Sequence, residues 1–262
     1  MKTILDQIVE KKKEEVSFKK TDKSINELID NEYYNQKSKS SKNSILDPNK
    51  NGIIAEFKRK SPSKGFINEF ADVKKVVSDY EKFGASVVSV LTDEHFFGGN
   101  FDIFSIARNN LTIPILRKDF IVDPYQVHET KAIGADLLLL IAECLDKNEI
   151  LDLASLAKEI GLEILLEVHS EDQLEKLNDC IDLIGVNNRN LKTFEVDLEK
   201  SKQILKQLPE NKIKIAESGI YDTETIFDLK NAGFEGFLIG ENFMKEPNPG
   251  KAFEEFTQKL KK

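Results

Sequence analysis

The chain has 262 residues, of which 40% are hydrophobic and 32% are charged, and its formal net charge is −8. This length accommodates one large α/β domain or two small ones. The negative charge disfavours a dedicated nucleic-acid-binding protein, because such proteins present a basic surface. The longest apolar run, residues 137–142, is far shorter than the ~20 residues that span a membrane. The two cysteines, Cys144 and Cys180, form no CxxC motif and favour a reducing cytoplasm.

The first 50 residues predict a helical extension in front of the main domain. The segment ILDQIVEKKKEEV has apolar residues at helical spacing, and a second short helix is expected in INELIDNEYY. The next segment, NQKSKSSKNSILDPNKNG, is polar and aperiodic, which predicts a loop. The apolar stretch of a signal peptide is missing from the N-terminus. We therefore expect residues 1–50 to pack on a main domain that spans residues 51–262.

From residue 52 onward, eight short apolar runs alternate with amphipathic stretches. In the stretch DVKKVVSDYEKFG, for example, Val73, Val77 and Tyr80 share one helix face. Eight strand–helix units of about 26 residues match the size of a (β/α)₈ TIM barrel, an α/β fold with parallel strands. A doubly wound sheet is the alternative, but neither GxGxxG nor GxxxxGK[ST] follows any run. The predicted strands are Ile53–Lys58, Val87–Leu91, Ile115–Lys118, Leu137–Ile141, Glu163–Val168, Leu183–Asn187, Lys214–Glu217 and Gly236–Gly240.

Charged and polar residues stand at the carboxyl ends of these strands, where barrel enzymes place their catalytic groups. Glu56 and Lys58 are two positions apart in the first strand, so their side chains face the same side. Burying two charges costs several kcal/mol each unless they are paired or near solvent. A shared active-site mouth and a structural ion pair both meet this condition. The candidate site residues at strand ends are Glu56, Lys58, Ser89, Leu91, Lys118, Glu167, Asn187, Arg189, Glu217 and Ser218.

Two late segments, IAESGI and FLIGENF, predict a phosphate site. The backbone N–H groups of Ser218, Gly219, Gly240 and Glu241 can point at an anion. Barrels often bind phosphate after their last two strands, although simple glycine turns are an alternative. If phosphate binds here, the carboxylate of Glu241 has to point away from it.

The three histidines lack a metal-ligand spacing such as HxH or HExxH, so no metal site is expected. His169 follows the fifth strand, and because Val168 lies between them, we expect it to face away from Glu167. A GxSxG nucleophile motif is also missing from the sequence.

Several segments together resemble the indole-3-glycerol phosphate synthase family. They are AEFKRKSPSKG, VLTDEHFFGGN, ILRKDFIVDPYQV, LLEVHSEDQL, IGVNNRNL and AESGI, and the similarity runs through nearly the whole chain. The resemblance implies that 1-(o-carboxyphenylamino)-1-deoxyribulose 5-phosphate is converted to indole-3-glycerol phosphate, with release of CO₂ and water, in tryptophan biosynthesis. It implies a carboxy-lyase without a redox cofactor, since no step moves a hydride. A small phosphorylated substrate and a monomeric chain are expected.

The resemblance also implies residue roles. Lys118 corresponds to the general acid of ring closure and Glu167 to the family's catalytic glutamate. Glu56 and Lys58 match a pair that bears on the substrate carboxylate and on dehydration. Glu241 stands where many relatives carry a small residue. The other matched residues orient or contact the substrate: Ser61, Phe97, Asn187, Arg189 and Ser218.

The substrate's aromatic half suits an apolar wall, which Phe97 and Leu91 can form, although ordinary packing also explains them. Lysines are expected as acids and glutamates as bases. To donate a proton at pH 7, a glutamate would need a pKa far above its ordinary value of about 4.3.

Two rival functions are weaker. A phosphoribosylanthranilate isomerase needs a Cys and Asp pair at strand ends, and Cys144 follows the fourth predicted strand instead of the first. A catalytically silent barrel would be expected to have lost one of Lys58, Lys118 and Glu167, and the chain has all three.

Overall fold

The computed structural model describes residues 2–189 and 195–260. Eight parallel strands close into a barrel in which each strand pairs with its neighbours in chain order, and the last pairs with the first. Every strand boundary lies within one residue of the sequence prediction, so the predicted TIM barrel is confirmed. The strands are β1 (Ile53–Phe57), β2 (Val87–Leu91), β3 (Ile115–Lys118), β4 (Leu137–Ile141), β5 (Glu163–Val168), β6 (Leu183–Asn187), β7 (Ile213–Glu217) and β8 (Gly236–Ile239).

Helices precede the barrel and surround it. A short 3₁₀ helix, Glu171–Lys176, lies between β5 and β6, and a two-stranded ladder joins Lys60–Ser61 to Gly65–Phe66 after β1. The α-helices are α1 (Ile4–Asp22), α2 (Ile25–Ile29), α3 (Ser41–Leu46), α4 (Val73–Lys82), α5 (Glu94–Phe97), α6 (Phe101–Asn110), α7 (Pro124–Ala132), α8 (Lys147–Glu159), α9 (Leu198–Leu205), α10 (Thr223–Ala232), α11 (Glu241–Met244) and α12 (Pro249–Leu260).

Helix α4 shows how local sequence determines these elements. Asp72 caps its first turn by accepting a hydrogen bond from the backbone N–H of Lys75 at 3.1 Å. Its buried side chains include Val73, Val77 and Tyr80, so the predicted apolar face is confirmed. That face packs against the outside of the barrel, as in other α/β barrels.

Helix α3 contradicts the prediction of a continuous loop before β1. The carboxylate of Glu163, at the start of β5, accepts hydrogen bonds from the backbone N–H of Ser41 at 2.7 Å and of Lys42 at 3.1 Å. This carboxylate satisfies two of the N–H groups that a helix start leaves unpaired. Because the stabilising group is more than 100 positions away in the chain, periodicity could not reveal the helix. Helix α2 is also shorter than the segment predicted for it.

Two apolar layers result from the alternation of side chains along each strand. One layer fills the barrel lumen with residues such as Leu116, Leu139 and Leu165, and Ile45 of α3 packs against it. The other lies between the strands and the outer helices. Residues two positions beyond the lumen layer therefore face the mouth of the barrel.

A buried charge network attaches α1 to the barrel. The Lys12 side chain is 5% exposed, and its Nζ lies 2.9 Å from an oxygen of Asp93 and 3.0 Å from one of Asp119. Arg117, fully buried, continues the network to Asp119 at 2.9 Å and to Glu129 at 2.7 Å. Burial lowers the pKa of Lys12, but the two aspartates outweigh it and hold this pKa above its ordinary value.

Candidate active site

A cavity of about 200 Å³ opens at the carboxyl ends of the strands. Every strand except β2 contributes to its lining, as do the loops after β1, β2 and β7 and the start of α1. Most of the sequence-predicted site residues meet in this one cavity: Glu56, Lys58, Ser61, Phe97, Lys118, Glu167, Asn187, Arg189, Ser218, Gly219, Gly240 and Glu241.

Ser89 and Leu91 of β2, expected to contact substrate, do not line the cavity. Ser89 is fully buried and lies in register with Glu56 of β1. Gly99, in the loop after β2, packs so closely on the carbonyl oxygen of Leu91 that an added Cβ would overlap it. The loop therefore covers the end of β2, a contact between residues eight positions apart that the sequence did not show.

The centre of the cavity is a lysine between two buried carboxyl groups. The Nζ of Lys118 lies 3.4 Å from Oε2 of Glu167 and 3.7 Å from Oε2 of Glu217. Burial lowers the pKa of Lys118, but the neighbouring glutamates outweigh this effect, so its pKa lies above the ordinary value. Lys118 is therefore charged at neutral pH.

Glu167 is held as an anion. Its Oε1 accepts a hydrogen bond from Nδ2 of Asn187 at 2.7 Å, and Nε2 of His169 lies 3.2 Å from the same oxygen. Burial raises the pKa of Glu167, but Lys118 and the two contacts at Oε1 lower it by a larger amount. The pKa of Glu167 therefore lies well below its usual range. The expectation that His169 faces away from Glu167 is wrong, because the contact of its Nε2 with Oε1 places the ring on the side of the Glu167 carboxylate. His169 directly follows β5, and residues two apart in extended backbone share a face.

Glu217 has the opposite shift. Burial and the nearby Glu167 raise its pKa well above the ordinary value, and Lys118 only partly offsets them. Its Oε1 has no hydrogen-bond partner among the described residues. Gly185 of β6 makes room for this carboxyl group, since a Cβ there would overlap Oε1 of Glu217. Sequence analysis counted Glu217 among the strand-end charges but gave it no role.

Glu56 and Lys58 form an ion pair and also line the cavity, which unites the two interpretations of this pair. Their Oε1 and Nζ atoms are 2.6 Å apart. Burial raises the pKa of Glu56, but Lys58 and Lys118 outweigh it, and the net shift is downward. The Lys58 ammonium remains partly exposed toward the cavity.

The far end of the cavity has the features of an anion site. Ser218 and Gly219 follow β7 with φ angles of 67° and 72°, the left-handed region that a serine rarely adopts. Successive backbone N–H groups in a tight turn of this kind can point into one concavity and bind an anion. Arg189 and Glu241 stand at the same end of the cavity.

An apolar wall faces the charged centre. Phe97 and Phe120 lie with ring centroids 5.9 Å apart, and Ile4, Leu5 and Ile8 of α1 complete the wall. Sequence analysis proposed Phe97 but missed Phe120 and the α1 residues. Phe120 stands two positions after Lys118, a spacing that could have indicated it.

Three further observations concern metal ligands, membrane-spanning helices and the Cys144 thiol. Residues 2–189 and 195–260 contain no cluster of three or more His, Cys, Asp or Glu residues able to hold a metal ion. In the same residues, every helix is too short or too polar to cross a membrane. Burial raises the pKa of the Cys144 thiol to about 12, so the acid–base cysteine of the rival isomerase is not found there.

Comparison with known proteins identifies one family. The family model described as indole-3-glycerol phosphate synthase matches residues 5–256. The synthase of that name from Bacteroides thetaiotaomicron is 46% identical over 260 residues, covering 99% of this chain and 100% of the relative. The one from Bacillus cereus is 45% identical, covering 97% of this chain and 98% of the relative.

Solved structures support the fold. The 3-hexulose-6-phosphate synthase from Salmonella typhimurium matches with a TM-score of 0.60 at 14% identity, covering 80% of this chain and 98% of that one. The orotidine 5'-phosphate decarboxylase from Pyrococcus horikoshii matches with a TM-score of 0.59 at 14% identity, covering 80% and 99%. At this identity the likeness concerns the barrel alone.

Proposed function

The chain belongs to the indole-3-glycerol phosphate synthase family, and we propose that the cavity at the carboxyl ends of its strands is where the family's reaction takes place. An aromatic carbon of 1-(o-carboxyphenylamino)-1-deoxyribulose 5-phosphate attacks the ribulose carbonyl, and CO₂ and water are then released. The observation that carries this assignment is the cluster of Lys118, Glu167 and Glu217, which lies between an apolar wall and an anion-binding end.

In ring closure, the carbonyl oxygen becomes an alkoxide as the new carbon–carbon bond forms. Lys118 is the proposed acid, because it stays charged at neutral pH and lies in a cavity where its charge is poorly screened. An alkoxide is far more basic than a lysine amine, so proton transfer to it is downhill. The apolar wall around Phe97 and Phe120 would hold the aromatic ring against this centre.

Loss of CO₂ returns an electron pair to the ring and restores its aromaticity. Lys58 is the proposed partner of the substrate carboxylate, since its ammonium reaches the cavity. Glu56 then has a positioning role, because it holds Lys58 by the 2.6 Å ion pair. Ser61, which also lines the cavity, is a proposed substrate contact.

Dehydration needs a base to remove a proton from the carbon next to nitrogen and an acid to protonate the leaving hydroxyl. Glu167, kept ionised by its neighbours, is the proposed base, and Asn187 fixes its orientation. Glu217 is the exception to the expectation that glutamates act as bases. Burial and Glu167 raise its pKa, which favours the protonated form, so it is a proposed second acid beside the lysines.

The sugar phosphate is proposed to bind at the end of the cavity formed after β7 and β8. Backbone N–H groups of Ser218, Gly219, Gly240 and Glu241 supply donors there, and Arg189 supplies a cation. Gly240 has to be a glycine, because a Cβ would lie 2.5 Å from Oε1 of Glu56.

Residues 1–50 are proposed to act as an extension of a catalytic barrel spanning residues 51–262. The chain is proposed to work as a cytoplasmic monomer without a nucleic-acid partner. In support of the location and of the lack of a nucleic-acid partner, both cysteines are free thiols, as in a reducing compartment, and the net charge of −8 disfavours nucleic acid. Light scattering coupled to size-exclusion chromatography would measure the monomer mass.

The decisive assay mixes the purified chain with the carboxyphenylamino-deoxyribulose phosphate and follows the fluorescence of the indole product. We expect product formation without added metal or redox cofactor. A folded sample that forms no product would remove the proposed function.

A further inference from the structure

The carboxylate of Glu241 joins three loops at the phosphate end of the cavity. Its Oε1 lies 2.6 Å from Nζ of Lys64, in the loop after β1, and its Oε2 lies 3.9 Å from Nη2 of Arg189, after β6. Glu241 itself follows β8 and has a side chain that is 18% exposed. These residues therefore form an ion cluster at the rim of the cavity, close to the proposed phosphate donors.

This arrangement conflicts with phosphate binding if the side chains stay where they are. A phosphate monoester carries a charge of about −1.5 to −2 at pH 7, so a neighbouring carboxylate repels it. The same carboxylate already pairs with the two cations at this rim, Lys64 and Arg189, so neither is free to pair with a phosphate until the carboxylate releases it. Burial raises the pKa of Glu241, but Lys64 and Arg189 outweigh it, so the carboxylate is charged at neutral pH.

We propose that Glu241 is an internal competitor of the substrate phosphate. Its carboxylate pairs with Lys64 and Arg189, and an arriving phosphate group takes over both cations and releases the Glu241 side chain toward solvent. The inference rests on the proposed function, because it requires the phosphate end of the cavity.

The exchange has two consequences. The loop that carries Lys64 is held by an anion in both states, first by the carboxylate and then by the phosphate. The affinity for phosphate is set by the difference in free energy between two sets of ion pairs, one with the carboxylate and one with the phosphate. This difference is small, so free inorganic phosphate is a weak ligand. A ligand without a phosphate group cannot displace the carboxylate, so Glu241 also favours phosphorylated substrates.

The first test compares inorganic phosphate as an inhibitor of the wild-type chain, Glu241→Gln and Glu246→Gln at constant ionic strength. Glu246 is an exposed glutamate five positions away, so its substitution changes the net charge equally. The inhibition constant should fall about fivefold or more in Glu241→Gln, because one nearby repulsive charge is removed and two cations are freed. It should change little in Glu246→Gln. An unchanged or higher constant in Glu241→Gln would overturn the proposal.

The second test adds Lys64→Gln to both backgrounds. In the wild-type chain, phosphate exchanges one anionic partner of Lys64 for another, so losing Lys64 costs little affinity. In Glu241→Gln the same lysine serves phosphate alone, and its loss should weaken phosphate binding several-fold more. Equal effects in the two backgrounds would show that the carboxylate and the phosphate do not share Lys64.

Calorimetric titration with inorganic phosphate separates this proposal from the proposed function. Product formation together with equal phosphate affinities in the wild-type chain and Glu241→Gln would remove only the role of Glu241. Tighter phosphate binding by Glu241→Gln in a chain that makes no product would support that role and remove the proposed reaction. Absence of phosphate binding to a folded wild-type chain and to Glu241→Gln would overturn the competitor role.

Discussion

Glu167 and Glu217 have opposite pKa shifts although both are buried beside Lys118. The difference comes from their other neighbours. Glu167 accepts a hydrogen bond from Asn187 and has His169 beside the same oxygen. In contrast, one oxygen of Glu217 has no hydrogen-bond partner within the described residues. Two interacting carboxyl groups titrate as a pair, and here the neighbours raise the pKa of Glu217 and lower the pKa of Glu167.

The stability of the folded chain should therefore depend on pH through Glu217. The folded-state pKa of Glu217 is raised above its unfolded value. The stabilisation from Glu217 is therefore fully present below about pH 4.3 and is lost as pH rises through the folded pKa. Glu217→Gln cannot ionise. The melting temperature of Glu217→Gln relative to the wild-type chain should thus increase between pH 4 and pH 8. The increase should be about 2–4 °C for each kcal/mol of unfolding free energy that the wild-type chain loses. Differential scanning calorimetry measures this, with the exposed Glu69→Gln as control. A difference that is constant with pH would contradict the raised pKa.

Lys118→Met removes the ammonium group and keeps an apolar side chain of similar length. If Lys118 is the positioned acid of ring closure, kcat should fall about 10²-fold or more. Lys74→Met, on the exposed side of α4, removes the same charge far from the cavity and should keep normal turnover. Steady-state kinetics on samples with unchanged circular dichroism decides this, and near-normal turnover in Lys118→Met would assign the acid elsewhere.

At the scale of elements, the position of the Glu217 side chain of β7 depends on a glycine in the neighbouring strand β6. Gly185 lies in register with Glu167 on one side and Ile215 on the other. Gly185→Ala would push a methyl group into Glu217 and displace its carboxyl group from Lys118. Because a displacement of about 1 Å can cost up to about 10² in rate, we expect kcat/KM to fall about tenfold or more.

A matched control stands at the next position of the same strand. Val186 packs in the layer between strands and helices, so Val186→Ala should lower stability by creating a cavity while leaving kcat/KM nearly unchanged at temperatures where the chain is folded. If Gly185→Ala behaves like Val186→Ala, the position of Glu217 does not matter for catalysis.

The elements that sequence predicted well are those with local causes. Buried strands appear as short apolar runs, and the aspartate before α4 marks a helix start in the sequence itself. Helix α3 was missed because its cap comes from Glu163, far away in the chain. Strand-end charges predicted most of the cavity, since side-chain alternation alone aims them at the mouth. The wall supplied by α1 depends on how distant segments pack, and the covering of Leu91 depends on the path of the loop that contains Gly99; neither is encoded in the periodicity of side chains.

At the scale of the whole molecule, strand β3 connects catalysis to the attachment of α1. Lys118 faces the cavity, while its neighbours Arg117 and Asp119 belong to the buried network that contains Lys12. Since Ile4 of α1 lines the cavity, the network fixes one wall of the site as well as the helix itself.

Lys12→Met should therefore affect both stability and substrate binding. It leaves Asp93 and Asp119 buried without their lysine, and breaking a buried pair costs about 3–5 kcal/mol of unfolding free energy.

The contribution of this network to stability should depend on pH. Burial raises the pKa of Asp119, but Arg117 and Lys12 lower it by more, so its folded-state pKa lies below the unfolded value. The ionised Asp119 therefore stabilises the fold above about pH 3.9, and this stabilisation is lost as the pH falls through the folded pKa. At the alkaline end, the stabilisation is complete below the unfolded lysine pKa of about 10.4 and is lost as pH rises through the higher folded pKa of Lys12.

Urea unfolding at pH 7 measures the stability loss, and Lys13→Met, on the exposed face of the same helix, is the control. Because α1 contributes apolar wall and no charged group of the catalytic centre, KM should rise more than kcat falls. The loss of stability caused by Lys12→Met should shrink as the pH falls through the lowered folded-state pKa of Asp119. A Lys12→Met chain as stable as Lys13→Met, or one in which kcat falls while KM is unchanged, would show that this network does not place the wall of the cavity.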